Sequence, residues 1–340
     1  MSSTSLDRRH LLWGLGALPA AAALAACTSD DEADAQAGSD SGGDSASDTR
    51  TVTDAMGTEV EVPASPQRVV SLHYAATQAA LDLGVTPVGT ADIGPGGTNN
   101  VAPNLVEAYE GMTIVTNQQE VDIEKLAELE PDLILATNVT EEDVLAQVKE
   151  IAPVYQFTLR GGKRKDWQNR VTEVADALNR AAEFDEVKVA WEKEIEDAAT
   201  QYADVTDGVV VGVISSFTEN NVYAWGEENM TGTFLMPLGF TWSEQENASV
   251  EGEEEAEKDM SQELIGDVVG DADILFYDSD LHETPSAYTE ALRDSSLYQE
   301  LPAVQAGHDY PIGKVTIAGF SDARVGLGLV TKALDDFGKA

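Results

Sequence analysis

The sequence predicts an α/β protein of two lobes with mainly parallel sheets, joined by a single long helix. Three observations predict it. Short β-like runs alternate with helical patterns up to about residue 180. One stretch, Phe184–Ala203, then runs on without Gly or Pro. After Gly208 the alternation begins again. Within that stretch Phe184, Val187, Trp191, Ile195, Ala198 and Tyr202 recur at steps of three and four and line one face. Glu186, Lys188, Lys193 and Glu196 fall opposite. At ~1.5 Å per residue such a helix spans roughly 30 Å, about the width of a small domain. As a strut between lobes it resists large hinge motions; the alternative is an ordinary surface helix of one domain. The 340 residues suffice for two cores.

The charge excludes one class of partner. With 62 acidic against 20 basic residues, the net charge is −42. Phosphate backbones require Lys and Arg, so nucleic acid is disfavoured and a solvated, monomeric surface is favoured. The single cysteine, Cys27, rules out a disulfide within the chain and any Cys-rich zinc or iron–sulfur site.

Residues 1–27 read as an export signal. Arg8 and Arg9 precede an apolar run from Leu11 to Ala23, too short for a comfortable membrane span. The run ends in Leu24-Ala25-Ala26-Cys27, which resembles a bacterial lipobox with cleavage before Cys27 and lipidation of its thiol. Arg8-Arg9 followed by His10-Leu11-Leu12 also resembles a twin-arginine signal, from which Asp7 and Trp13 depart; a Sec or a twin-arginine route therefore both fit. Acyl chains on Cys27 would hold the chain at the outer face of the plasma membrane. Residues 28–50, rich in Ser, Gly, Asp and Ala without an aromatic residue, read as a disordered tether.

The N-terminal lobe is expected over residues 51–183. Thr51–Pro63 reads as a β-hairpin turning near Met56-Gly57. Strands follow at Arg68–Leu72, Thr86–Ala91, Met112–Asn117, Asp132–Thr137 and Val154–Thr158. Helices are expected at Ala75–Leu83, Val121–Leu129, Glu141–Ile151 and Trp167–Leu178. The connecting helix takes 184–203 and the C-terminal lobe 204–340. There, strands are expected at Gly208–Phe217, Ile274–Tyr277 and Asp309–Ile312, and helices at Met230–Leu238, Ser261–Val269 and within Phe320–Phe337. The acidic run Glu251–Glu257 reads as a solvated loop, with a calcium site as the alternative. In open parallel sheets ligands sit beyond the C-terminal strand ends. In the first lobe those ends present His73, Tyr74, Asp92, Asn117, Gln118, Asn138 and Arg160.

The run TVTDAMGTEVEVPASPQRVVSL followed by LDLGVTPVGT, with IEKLAELEPDLILA and LPAVQAGHDYPI at later positions, resembles the iron–siderophore substrate-binding lipoproteins of ABC importers over about residues 51–340. The resemblance implies two Rossmann-like lobes joined by one helix, with the ligand cleft between them. It implies capture of an iron(III)–siderophore complex, delivery to a membrane permease, and no cofactor or resident metal. By the same resemblance Glu124 and Glu263, one per lobe and each opening a helix, take the permease-docking role. A carboxylate in a first helical turn is also favoured by the helix dipole alone.

Candidate ligand-binding residues form two groups. Arg160, Lys163, Arg164 and Lys165 cluster just past a strand end, and Lys314 and Arg324 could face them. An Arg fork suits carboxylate or catecholate oxygens, which points to an anionic chelate; the alternative is salt bridging to the acidic surface. Tyr74, Tyr223, Trp225 and Tyr277 lie at strand ends and could stack on a chelate. His73 beside Tyr74 leaves open axial ligation of haem iron, so a haem or cobalamin receptor of the same fold is the alternative. Among enzyme signatures, the chain has no Gly-x-Ser-x-Gly, His-Glu-x-x-His, phosphate-loop or Gly-x-Gly-x-x-Gly pattern. A binding protein is therefore expected rather than an enzyme, and a lipid-anchored hydrolase is the reading from another class.

Overall fold

The computed structural model describes residues 49–117 and 120–339, which belong to one compact unit. The export signal, Cys27, nearly all of the tether and Gln118 lie outside the described residues. No helix among the described residues is long and apolar enough to cross a membrane.

The first described strand starts slightly earlier than the sequence suggests. β1 (Thr49–Thr53) pairs antiparallel with β2 (Glu59–Pro63), and Thr49 and Arg50 already sit opposite Pro63 and Val62. The turn is held by Asp54, whose Oδ1 accepts from the N–H groups of Met56 (2.9 Å) and Thr58 (2.8 Å).

The N-terminal lobe is a five-stranded parallel sheet. Its strands are β3 (Val69–Ser71), β4 (Gly89–Ala91), β5 (Thr113–Thr116), β6 (Leu133–Thr137) and β7 (Val154–Phe157), in the order β5-β4-β3-β6-β7. β3, β6 and β7 are buried along their whole length, as expected when helices cover both faces. The helices of this lobe are α1 (Tyr74–Asp82), α2 (Val106–Glu110), α3 (Ile123–Glu128), α4 (Glu142–Lys149) and α5 (Trp167–Leu178).

The connecting helix α6 runs from Ala181 to Thr206, longer at both ends than the apolar periodicity marks out. It follows α5 directly because Asn179 takes a left-handed conformation (φ 57°) that ends α5. Phe184, Trp191, Ala198 and Tyr202 are buried, as the spacing predicts. They pack into one apolar cluster that continues from the first sheet through α5 and α6 into the second sheet.

The second sheet differs in kind. β8 (Val210–Ser215) is central. β9 (Asn221–Trp225) lies antiparallel beside it, and after α7 (Gly232–Leu235) the short β10 (Thr241–Trp242) runs parallel to it. After α8 (Glu244–Ser249), β11 (Glu257–Ser261) adds antiparallel to β9. α9 (Ile265–Val269) leads to β12 (Ile274–Tyr277), parallel to β8. The short helices α10 (Ala287–Arg293), α11 (Ser296–Gln299) and α12 (Pro302–Gln305) precede β13 (Asp309–Pro311), parallel to β12. The chain closes with α13 (Phe320–Phe337).

The acidic run is a loop as far as residue 256, and its last residue begins β11; residues 287–305, for which no element was expected, form three helices. Where β8 and β9 diverge, the buried Glu246 carboxylate accepts from the N–H groups of Val213 (3.0 Å) and Trp225 (2.9 Å). It supplies acceptors that the ladder leaves missing, and burial pushes its pKa well up.

The lobes are also tied across α1 and α13. Asp82 accepts from the hydroxyl and the N–H of Ser321 at the start of α13, and Gln78 donates to Asp322. An aspartate at that point satisfies a free N–H and complements the helix dipole.

Candidate functional site

The C-terminal ends of both parallel strand sets face a common cleft, and the loops that leave them line a cavity of about 680 Å³. From the first lobe come Tyr74, just past β3, and the loop Ile93–Asn100, just past β4. From the second come Ser216 and Phe217 after β8, Asp278–Asp280 after β12, residues 284–288, and Lys314 and Thr316 after β13. Gly94, Gly96 and Gly97 have φ of 86°, 92° and 54°, so the first-lobe loop folds over the cavity through conformations in which only glycine is unstrained.

At this end the two lobes meet directly. Asn99 Nδ2 donates to Asp280 Oδ2 (3.1 Å), and Asn99 O accepts from Leu281 N–H (3.0 Å). Asp280 Oδ1 accepts from the N–H groups of His282 and Thr284, both at 2.9 Å. Lys314 Nζ lies 2.7 Å from Asp322, donates to Asn100 O (3.3 Å), and stands 5.2 Å from the Tyr74 ring centroid. Asp278 accepts from Val315 N–H (3.0 Å), and burial pushes its carboxyl up to about 7. Two aromatic rings of the lining remain open, Phe217 at 41% and Tyr288 at 45% exposure.

The opposite end is closed by charge pairs. Arg160 and Arg164 reach across the lobes to the acidic run. Arg160 lies 2.7 Å from Glu255 and 3.7 Å from Glu257, and Arg164 lies 3.0 Å from each. Lys163 is 3.4 Å from Glu228, and Lys165 also pairs with Glu228. Arg164 is only 8% exposed. Burial, then the like charge of Glu255, push Glu257 up to about 7 against the pull of Arg160. Of the two readings of this basic cluster, the geometry displays the salt-bridged one: its cations are matched by the chain's own glutamates. The cause is topological, because antiparallel addition of β11 carries the acidic run back to the exit of β7.

The remaining candidates divide. Tyr74 lines the cavity. His73 caps α1, its Nδ1 accepting from Ala75 N–H (3.2 Å), with its ring against Tyr74 and Phe157. Burial and the positive charges of Arg170, Arg160 and Lys314 lower its pKa to about 3. One ring nitrogen is thus committed to the fold. Tyr223 is half-buried and stands between Phe217 and Trp225, 5.2 Å from each ring. Trp225 is 2% exposed and donates to Ser215 Oγ (2.9 Å), so it backs the aromatic row rather than opening on the cavity.

Tyr277 is corrected. It is buried in a separate apolar cluster, with the Arg293 guanidinium 3.9 Å over its ring, because its side chain falls on the opposite face of the sheet from the cleft. Arg324 is corrected too. It faces α6 from α13, donating to Glu194 at 2.9 and 3.0 Å. Glu124 and Glu263 are exposed and occupy the first turns that precede β6 and β12.

Sequence reasoning missed Phe217, Asp278, Asp280, Tyr288 and the buried Arg170, whose guanidinium donates to Thr158 O (3.3 Å) and Ile317 O (3.4 Å) between the lobes. The strand-end rule, carried through to β8 and β12, would have found Phe217 and Asp278. No comparable local signal marks Tyr288 or Arg170. Among the described residues, no group of three or more His, Cys, Asp or Glu is placed to hold a metal ion.

Comparison with known proteins agrees with this geometry. Residues 69–316 match the family described as "Periplasmic binding protein". The "Probable siderophore-binding lipoprotein YfiY" of Bacillus subtilis is 30% identical, over 92% of this chain and 94% of that protein. An "Fe(3+)-citrate-binding protein" of the same organism is 26% identical over 80% of this chain and 81% of its own length. Among solved structures, the siderophore periplasmic binding protein from the fuscachelin gene cluster of Thermobifida fusca aligns with a TM-score of 0.66 at 25% identity, covering 80% of this chain and 97% of that one. With the family match covering residues 69–316 and a relative 30% identical over 92% of the chain, the chain belongs to the periplasmic binding protein family.

Proposed function

We propose that this chain is the substrate-binding lipoprotein of an ABC importer, which captures a ferric siderophore in the cleft and delivers it to a membrane permease. The observation that carries the reading is the cavity of about 680 Å³ at the meeting strand ends, within the range of small-molecule sites and lined by aromatic and hydrogen-bonding side chains. The names of the relatives support it. Binding is reversible and the iron stays with the siderophore, while the protein supplies shape, aromatic surface and countercharge. In this reading Cys27 carries the lipid that holds the chain at the outer face of the plasma membrane. Glu124 and Glu263, exposed on the two lobes, meet cationic side chains of the permease.

The test is tryptophan-fluorescence quenching of the full chain titrated with ferric hydroxamate, ferric catecholate, ferric citrate, haem and cobalamin. Saturable submicromolar quenching by at least one ferric chelate, abolished when the iron-free chelator is used, is expected. Tight binding of haem or cobalamin alone, or of nothing in the panel, overturns the proposal. In membrane vesicles holding the permease, Glu124→Arg with Glu263→Arg should abolish uptake while leaving chelate affinity within about threefold.

A further inference from the structure

The charge around the cavity narrows the ligand class. Of the cations near the cleft, Arg170 is buried between the lobes and spends its guanidinium on the Thr158 and Ile317 carbonyls, while Lys314, Arg160 and Arg164 are paired with carboxylates. Lys314 is paired with Asp322 at 2.7 Å. Arg160 and Arg164 are held by Glu255 and Glu257. The carboxylates of the open end are in the reverse position. Asp278 and Asp280 both line the cavity, and neither has an ion-pair partner among the described residues. Their hydrogen-bond donors are neutral, being the N–H groups of Val315, His282 and Thr284 and the Asn99 amide. Those four donors hold both carboxylates in place, although burial pushes the Asp278 carboxyl up to about 7 and the Lys314 charge also acts on it.

Two further observations point the same way. Tyr74, Phe217 and Tyr288 line the same cavity, and an aromatic face attracts a cation and not an anion. The chain as a whole carries −42, so a negatively charged chelate approaches against the field and a positively charged one along it.

Resting on the siderophore reading above, we propose that the ferric chelate this cleft takes carries a positively charged arm, a protonated amine or a guanidinium, seated at the open end against Asp278 and Asp280 beside the Tyr288 ring. A chelate of net negative charge would place its oxygens against the same carboxylates and find no unmatched cation in the lining.

The experiment uses two probes that differ only in that arm: a linear ferric trihydroxamate ending in a primary amine, and its N-acetylated form. Ferric dicitrate serves as the anionic probe, and all three are titrated into the full chain. The amine form should bind at least tenfold tighter than the acetylated form, and the ratio should shrink as ionic strength rises. Asp280→Asn should bring the ratio to within threefold of one. A ratio near one in the unmodified chain, or tightest binding of dicitrate, overturns this inference while the siderophore reading stands. If no ferric chelate binds, both fall together. The ratio in the unmodified chain requires no variant, so a folding failure of Asp280→Asn does not blur the result.

Discussion

The two ends of the cleft are built from the same materials to opposite effect. At the β7 end, Arg160 and Arg164 meet Glu255 and Glu257 across the lobes, and the charges close on one another. At the β12 end, Asp278 and Asp280 face an open cavity with only neutral donors on them. A cluster of cations in a very acidic chain invites the reading that it awaits an anion. The structure shows instead that its partners come from about ninety residues further along the chain. What matters for binding is the charge left over after the fold has made its own pairs.

The sharpest way to break the balance of the open end is to remove Lys314. The Asp322 side chain has no exposure, so Lys314→Met leaves a buried carboxylate without its cation. A loss of about 3–5 kcal/mol in urea denaturation is expected, with much of it restored in Lys314→Met/Asp322→Asn. At the closed end Arg164→Ala should cost less, about 1.5–3 kcal/mol, because Glu255 and Glu257 keep Arg160 and some solvent. The same variant should leave chelate affinity within about threefold by fluorescence titration. A large loss of affinity with little change in stability would return the arginines to the ligand.

The aromatic lining gives a smaller effect. Phe217→Ala and Tyr288→Ala should each weaken chelate binding by about 0.5–1.5 kcal/mol. Tyr277→Phe, on the far face of the sheet, should leave it unchanged.

The smallest effect at neutral pH belongs to His73. Its folded pKa is depressed to about 3 from 6.5, first by burial. Its contribution to stability is therefore complete above about pH 6.5 and is lost as pH falls from there through 3. His73→Asn keeps a capping acceptor for α1 and removes that titration. Melting temperatures should match the parent near pH 7.5, and the variant should lose less than the parent between pH 6.5 and 4.

The first lobe was far more legible than the second. Strands such as Val154–Phe157 are buried on both faces and read as apolar runs, and Trp167–Leu178 stands out by helical period. In the second lobe Glu257–Ser261, with the sequence EKDMS, is an edge strand whose charged side chains hide it from any pattern of apolar residues. The helices of 287–305 run for seven, four and four residues, too short to show a period. At the site, Tyr74 was found because it follows a recognisable strand. Tyr288 was missed because it follows none. Tyr277 and Trp225 were misplaced because the strand-end rule gives the end of the sheet and not the face on which a side chain emerges.

By itself the sequence determined the alternation of strands and helices, the long apolar-faced helix between two lobes, the strand ends that border the cavity, and the family. These follow from periodicity and from Gly and Pro punctuation, which act over a few residues. Only the tertiary structure decided which charges were spent and which were left. The pairs Arg164–Glu257, Lys314–Asp322 and Arg324–Glu194 join distant segments, and Coulomb energy depends on distance in space, which chain order does not reveal.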